Sequence, residues 1–175
     1  MKKGIIIVGS SNSSGTTHKI ASFIGARTNF QITDLKTKTI GEFDYEFKNR
    51  NDDFLPLIRQ IVEGYQTIVF ATPVYCYAMS GTMKTFFDRL SDCLKTEKET
   101  GRKLRGMEMA VICCGCDQKL KDGFYMPFIE TAKYLGMTYL ADIYCVEENG
   151  LPLINEAEVN VFLKVIEDGH SVISQ

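Results

Sequence analysis

Three apolar, largely β-branched runs, Gly4 to Val8, Thr67 to Ala71 and Met107 to Cys114, each give way to a polar turn and then to a helical pattern. Strands with so few polar positions are covered on both faces, which is the condition of a parallel sheet with helices packed above and below. Parallel neighbours also need a crossover between them, and the intervening helical stretches supply it. The chain therefore reads as α/β. Phe30 to Asp34 makes a short second strand and Met137 to Val146 a fifth. Helices are expected at Thr16 to Arg27, from Asp52 or Asp53 to Gly64, after an N-cap at Ser80, up to Leu135 with Gly136 as cap, and from Glu156 to Gly169. Met83, Phe86, Phe87, Leu90 and Leu94 are spaced for one buried face, as are Val161, Phe162, Val165 and Ile166. Phe43, Tyr45 and Phe47 alternate as in a small edge strand, or tuck onto a neighbour; Lys95 to Arg105 reads as a charged loop.

At 175 residues the chain is expected to form one domain over residues 1–175, with a core that needs no staples. A net charge of −2 gives no electrostatic case for nucleic acid or an anionic membrane. The apolar run behind the N-terminal lysines is too short for a secretory signal, so a cytoplasmic location is the expectation. The six cysteines do not form a disulfide framework, and Cys113-Cys114-Gly115-Cys116 lacks the second pair or the histidines that a metal set requires. No metal is expected, and the thiols read as reduced and partly buried, with Cys114 or Cys116 open to a place near a cofactor.

Function is sought first in Gly9-Ser10-Ser11-Asn12-Ser13-Ser14-Gly15-Thr16-Thr17. A strand, a hydroxyl-rich turn and a helix start gather free N–H groups and the positive end of a helix dipole in one place, which suits a phosphate. Two phosphate loops fail the test. A P-loop places four residues between its glycines and then a lysine; here five residues separate Gly9 from Gly15, and Thr16 stands where the lysine would be. The dinucleotide fingerprint needs three glycines, and this turn has two. Neutral donors without a lysine suit a terminal monophosphate that stays bound. Taken alone, the stretch is also compatible with a plain Ser/Gly turn.

A second stretch, Thr72-Pro73-Val74-Tyr75-Cys76-Tyr77-Ala78-Met79-Ser80-Gly81-Thr82-Met83-Lys84-Thr85-Phe86-Phe87-Asp88-Arg89, gives the first its context. Together they resemble the flavodoxin-like NAD(P)H-dependent FMN reductases, whose pattern at the second stretch is roughly S-P-V-Y-x-x-x-x-S-G-x-L-K-x-F-x-D-R. The resemblance extends over most of the chain. It implies a three-layer sandwich around a five-stranded parallel sheet in the order 2-1-3-4-5, with a ligand crevice where that order reverses. Asn12 departs from the pattern, in which many relatives carry Arg or Lys, and the resemblance therefore implies one charged phosphate contact fewer.

The resemblance further implies FMN as cofactor, NAD(P)H as electron donor, a homodimer, and a small acceptor such as a quinone, free flavin, nitro or azo compound or metal ion, reduced in ping-pong fashion. Ser10, Asn12, Ser14, Thr16 and Thr17 would take the phosphate. The ring would lie against Thr72, Pro73, Val74, Tyr75, Cys76 and Tyr77, with Cys114, Gly115 and Asp117 at its other end. No side chain is nominated as catalytic, because hydride chemistry belongs to the flavin. His18 and His170 read as surface residues, and Asp88 and Arg89 as a structural ion pair or inter-helix contact. Two rivals stay open, a flavodoxin-type electron carrier and a protein that kept the fold and lost the flavin.

Overall fold

The computed structural model describes residues 2–169, so His170 lies outside the described residues. β1 (Gly4–Val8), β2 (Gln31–Asp34), β3 (Thr67–Tyr75), β5 (Glu108–Gly115) and β6 (Thr138–Glu148) form the body of the sheet, all parallel. Their order is β2-β1-β3-β5-β6, which is the order 2-1-3-4-5 once two short strands are set aside. Those additions are β4 (Ala78–Met79), antiparallel to the end of β3, and β7 (Leu151–Pro152), antiparallel to the end of β6. The helices are α1 (Thr16–Thr28), α2 (Phe54–Gly64), α3 (Gly81–Lys95), α4 (Lys98–Lys103), α5 (Met126–Leu135) and α6 (Glu156–Asp168).

Strand periodicity divides the core in two. Ile5, Ile7, Ile68, Phe70, Met109 and Val111 face one way, onto the buried residues of α2, α3 and α5. Ile6, Val8, Val69, Ala71, Ala110 and Ile112 face the other, onto Ile20, Ala21 and Ile24 of α1 and Val159, Phe162 and Val165 of α6. A β-bulge between Met109 and Ala110 in the β5–β6 pairing leaves Leu140 without a counterpart.

Several expectations are corrected. The turn expected from Thr72 to Met79 is narrower than that: β3 continues through Tyr75 and pairs back with β4, leaving Cys76 and Tyr77 at the tip. Their φ angles of 49° and 64° match a primed two-residue hairpin turn, unusual without Gly or Asn. Lys95 to Arg105 is not a loop throughout, since it contains α4 with Thr100 and Leu104 buried. The high charge of that stretch hid the short helix. A Cβ at Gly101 would lie 2.3 Å from the Cys93 carbonyl oxygen, so α4 approaches α3 only through a glycine. Leu94 and Val161 are exposed, each one helical step off its buried face. Phe43 to Phe47 forms no strand; its rings pack edge to face, with the Lys95 ammonium 4.6 Å from the centroid of the Tyr45 ring.

Arg89 ties this excursion to the body. Its side chain is 1% exposed and donates to Asp92 Oδ2, to both Asp52 oxygens, and to the carbonyls of Gly41 and Asn49. Asp88 instead faces solvent and pairs with Lys84 one turn earlier. Burial pushes the Asp52 carboxyl up, but hydrogen bonds from Arg89 and from the Gly41 and Phe54 N–H groups outweigh it and hold it below its ordinary value. Arg89→Met is expected to cost about 3–5 kcal/mol in urea unfolding, the usual penalty for stripping one partner from a buried pair. Because the folded Asp52 carboxyl titrates below the unfolded one, its contribution is full above the unfolded pKa and lost as pH falls through the folded value. Asp52→Asn should therefore show a shallower loss of stability on acidification than the unaltered chain.

Candidate functional site

The C-terminal ends of β1, β3 and β5 stand side by side, and β1 feeds a helix on the opposite face from the one that follows β3. A cavity of about 420 Å³ opens there, inside the size range of small-molecule sites.

The first loop forms one wall. Asn12 Oδ1 accepts from the Ser14 N–H and hydroxyl at 3.1 and 3.0 Å, and the Asn12 N–H donates to Ser10 Oγ at 3.2 Å. These bonds fold the loop back on itself. Gly15 is the N-cap of α1 and offers no side chain to the N–H groups of the first turn, and Gly15, Thr16 and Thr17 line the cavity. A Cβ on Gly15 would crowd Asn12 at 3.2 Å and fill the cradle.

The second wall is the end of β3, where Pro73, Val74 and Tyr75 line the cavity. Thr72 is buried behind them; its Oγ1 accepts from the Ser80 N–H at 3.0 Å. Ser80 also caps α3, accepting from the Met83 N–H, and donates its hydroxyl to the Gly9 carbonyl at 2.6 Å. The first two loops are thus joined through one serine, and again at the rim where the Ser11 and Tyr75 hydroxyls lie 3.3 Å apart.

Cys114, Gly115 and Cys116 make the third wall. A Cβ on Gly115 would lie 2.9 Å from the Tyr144 hydroxyl and 3.2 Å from Val74, so any side chain there would have to displace them. The Tyr144 hydroxyl donates to the Asp117 carbonyl at 2.7 Å and anchors the loop that follows. Cys114 is buried against Cys145 and Thr17; the hydrogen bond to Cys145, with burial, pushes its thiol up. The neighbouring Cys113 thiol is pushed up to about 12, mainly by burial. Neither supplies a thiolate near neutral pH.

Of the residues expected from sequence, Ser10, Asn12, Ser14, Thr16, Thr17, Pro73, Val74, Tyr75, Cys114 and Gly115 line this one cavity. Thr72 lies behind its wall, Cys76 and Tyr77 at the hairpin tip, and Asp117 past its third edge. Lys19, Glu147 and Gly150 also line it and were missed. Asn149-Gly150 was a legible signal, an Asn-Gly hairpin between β6 and β7 with φ angles of 52° and 73°. His18 faces Ser22, 3.3 Å away, and does not line the cavity.

A donor-rich cradle at a helix start, a strand end that can carry a flat ring, and a glycine-bounded third edge fit a phosphorylated aromatic cofactor. The profile of the NADPH-dependent FMN reductase family matches residues 2–150. The chain belongs to this family. Among its relatives is YwqN of Bacillus subtilis strain 168, whose name describes an NAD(P)H-dependent FMN-containing oxidoreductase. It is 29% identical over 99 residues, which span 53% of this chain and 53% of YwqN, about half of each. The Trp repressor binding protein structure from B. subtilis superposes with a TM-score of 0.73 at 20% identity, covering 93% of this chain and 97% of that one. An FMN-dependent NADH-azoreductase from Bacillus anthracis, solved in complex with FMN, has a TM-score of 0.64 at 14% identity, with 97% of each chain covered. These two solved structures share the flavodoxin-like fold of the family member described here.

Among the described residues, no helix is long and apolar enough to cross a membrane. Cys76 and Cys116 are exposed, while Cys93, Cys113, Cys114 and Cys145 are buried. A thiol titration with a chromogenic disulfide at pH 8 should find two fast groups in the native protein and six after denaturation. Rapid reaction of a third native thiol would contradict the burial of Cys93, Cys113, Cys114 and Cys145.

Proposed function

We propose that the chain is an FMN-dependent oxidoreductase, a single flavin-holding unit that takes electrons from NAD(P)H and passes them to a small acceptor in a ping-pong cycle. The observation that carries this reading is the convergence of three strand ends on one cavity: a hydroxyl-rich helix start, the Pro73–Tyr75 segment and the Cys114–Gly115 edge. Family membership and the name of YwqN support the reaction class.

Hydride acceptance and onward electron delivery are the chemistry of the FMN when it is bound. The rest falls to the protein. Ser10, Ser14, Thr16, Thr17 and the Asn12 amide, with the N–H groups of the first turn of α1, would hold the phosphate. Pro73, Val74 and Tyr75 would support the ring, with Cys76 and Tyr77 at its outer edge and Thr72 fixing the strand beneath. Gly115 would let the backbone approach the far edge, and Asp117 follows it. Hydride transfer needs alignment of two planar groups rather than an acid–base pair, and the protonated thiols are consistent with that. Donor and acceptor would use the same space beside the ring in turn. Quinones, free flavin, nitro or azo compounds and metal ions would all be compatible with an open flavin face. The working form we propose is a cytoplasmic homodimer, and family resemblance supports the dimer.

Mixing the purified protein with FMN is expected to yield a retained yellow chromophore absorbing at about 450 nm, bleached anaerobically by NADH or NADPH. Reoxidation by a small quinone, with no partner protein present, would separate an enzyme from an electron carrier. A protein that stays colourless after incubation with FMN would overturn the reading. Tyr75→Ala should weaken FMN binding roughly tenfold, since stacking a base-like ring on an aromatic side chain contributes about 1–3 kcal/mol.

A further inference from the structure

We propose that Lys19 is the cation that binds the cofactor phosphate, which the neutral donors of the first loop leave without a charged partner. The inference rests on the flavin reading above. Lys19 sits one helical turn after Gly15, and side chains on a helix lean toward its N-terminus, so the Lys19 stem runs back along the face that meets the cradle. It lines the cavity together with Ser10, Ser14 and Thr16. Among the described residues lining the cavity it is the one cation, and Glu147 is the one anion.

Its electrostatic state favours this role. Lys19 has no carboxylate partner among the described residues; its Nζ donates instead to the Gly150 carbonyl at 2.7 Å. An ammonium carries three donors, so two remain for another acceptor. Gly150 lies at the tip of the β6–β7 hairpin and itself lines the cavity, so the contact holds the ammonium at the rim. Asn12 offers no equivalent charge, and its side-chain oxygen is committed to Ser14. A phosphate monoester carries about −1.5 to −2 charges at neutral pH, and a helix start offsets only about half of one charge. A lysine lining the same cavity supplies the missing complement, and it also offsets the one carboxylate there, Glu147.

The test is a pair of fluorescence-quenching titrations, with FMN and with riboflavin, which lacks the phosphate. Lys19→Met is expected to weaken FMN about tenfold while leaving riboflavin within about twofold, and to flatten the dependence of FMN affinity on salt. Lys19→Arg should restore most of the FMN affinity. Thermal unfolding of each variant without ligand controls for folding, and an exposed methionine keeps the helix propensity. Equal weakening of both ligands by Lys19→Met would assign the residue to holding the hairpin and overturn the proposal. An unchanged FMN affinity would overturn it as well. If the unaltered protein quenches neither ligand, the flavin reading itself fails, and this inference with it.

Discussion

Ser80 is where the site is tied together. Its hydroxyl donates to the Gly9 carbonyl and accepts from the Met83 N–H, while its own N–H is taken by Thr72. One residue thus satisfies the start of α3, closes the hairpin after β3 and fixes the first peptide beyond β1. All of this is buried, where an unmade hydrogen bond costs more than in water. The separation between the two loops that face the cavity is therefore set by protein geometry, before any ligand arrives. The same helix carries Arg89 farther along, which gathers the backbone of 41–52 against the body. One element serves the site at its first turn and the architecture at its third.

The chemistry of the cavity follows from where charge is placed. The first loop spends its amide oxygen on its own shape and presents hydroxyls and N–H groups. Charged groups are kept to the rim, as Lys19 and Glu147. The thiols that the sequence clusters at 113–116 mostly turn inward, where burial keeps them protonated. Such a site can grip, orient and shield; proton transfer by its own side chains is not what it is built for.

How far the sequence carried depends on the range of the interactions involved. The long strands and most helices were legible, because a two-residue or 3.6-residue repeat of apolar positions reports burial directly. Ten of the expected site residues came together in one cavity, since strand ends are local features that a shared sheet aligns. The misses have a common cause. α4 is too short and charged to show a period, and its existence depends on Gly101 meeting Cys93. The Cys76–Tyr77 turn lacks the glycine or asparagine that normally marks it, and strand pairing imposes the positive φ angles. Lys19 and Glu147 carry no sequence signal of their own, because what gives them a place is a hairpin more than a hundred residues from the helix it touches.

By itself, the sequence determined the layered α/β class, the alternation of strand and helix, and a hydroxyl-lined helix start suited to an anion. Those properties rest on local spacing and on the chemistry of neighbouring residues. Only the tertiary structure decided which loops face each other and which charges border the cavity. It also decided that Thr72 stands behind the wall and that Arg89 pins residues some forty positions away. Each of these depends on contacts between distant segments, and the energies that select them appear only once the sheet has closed.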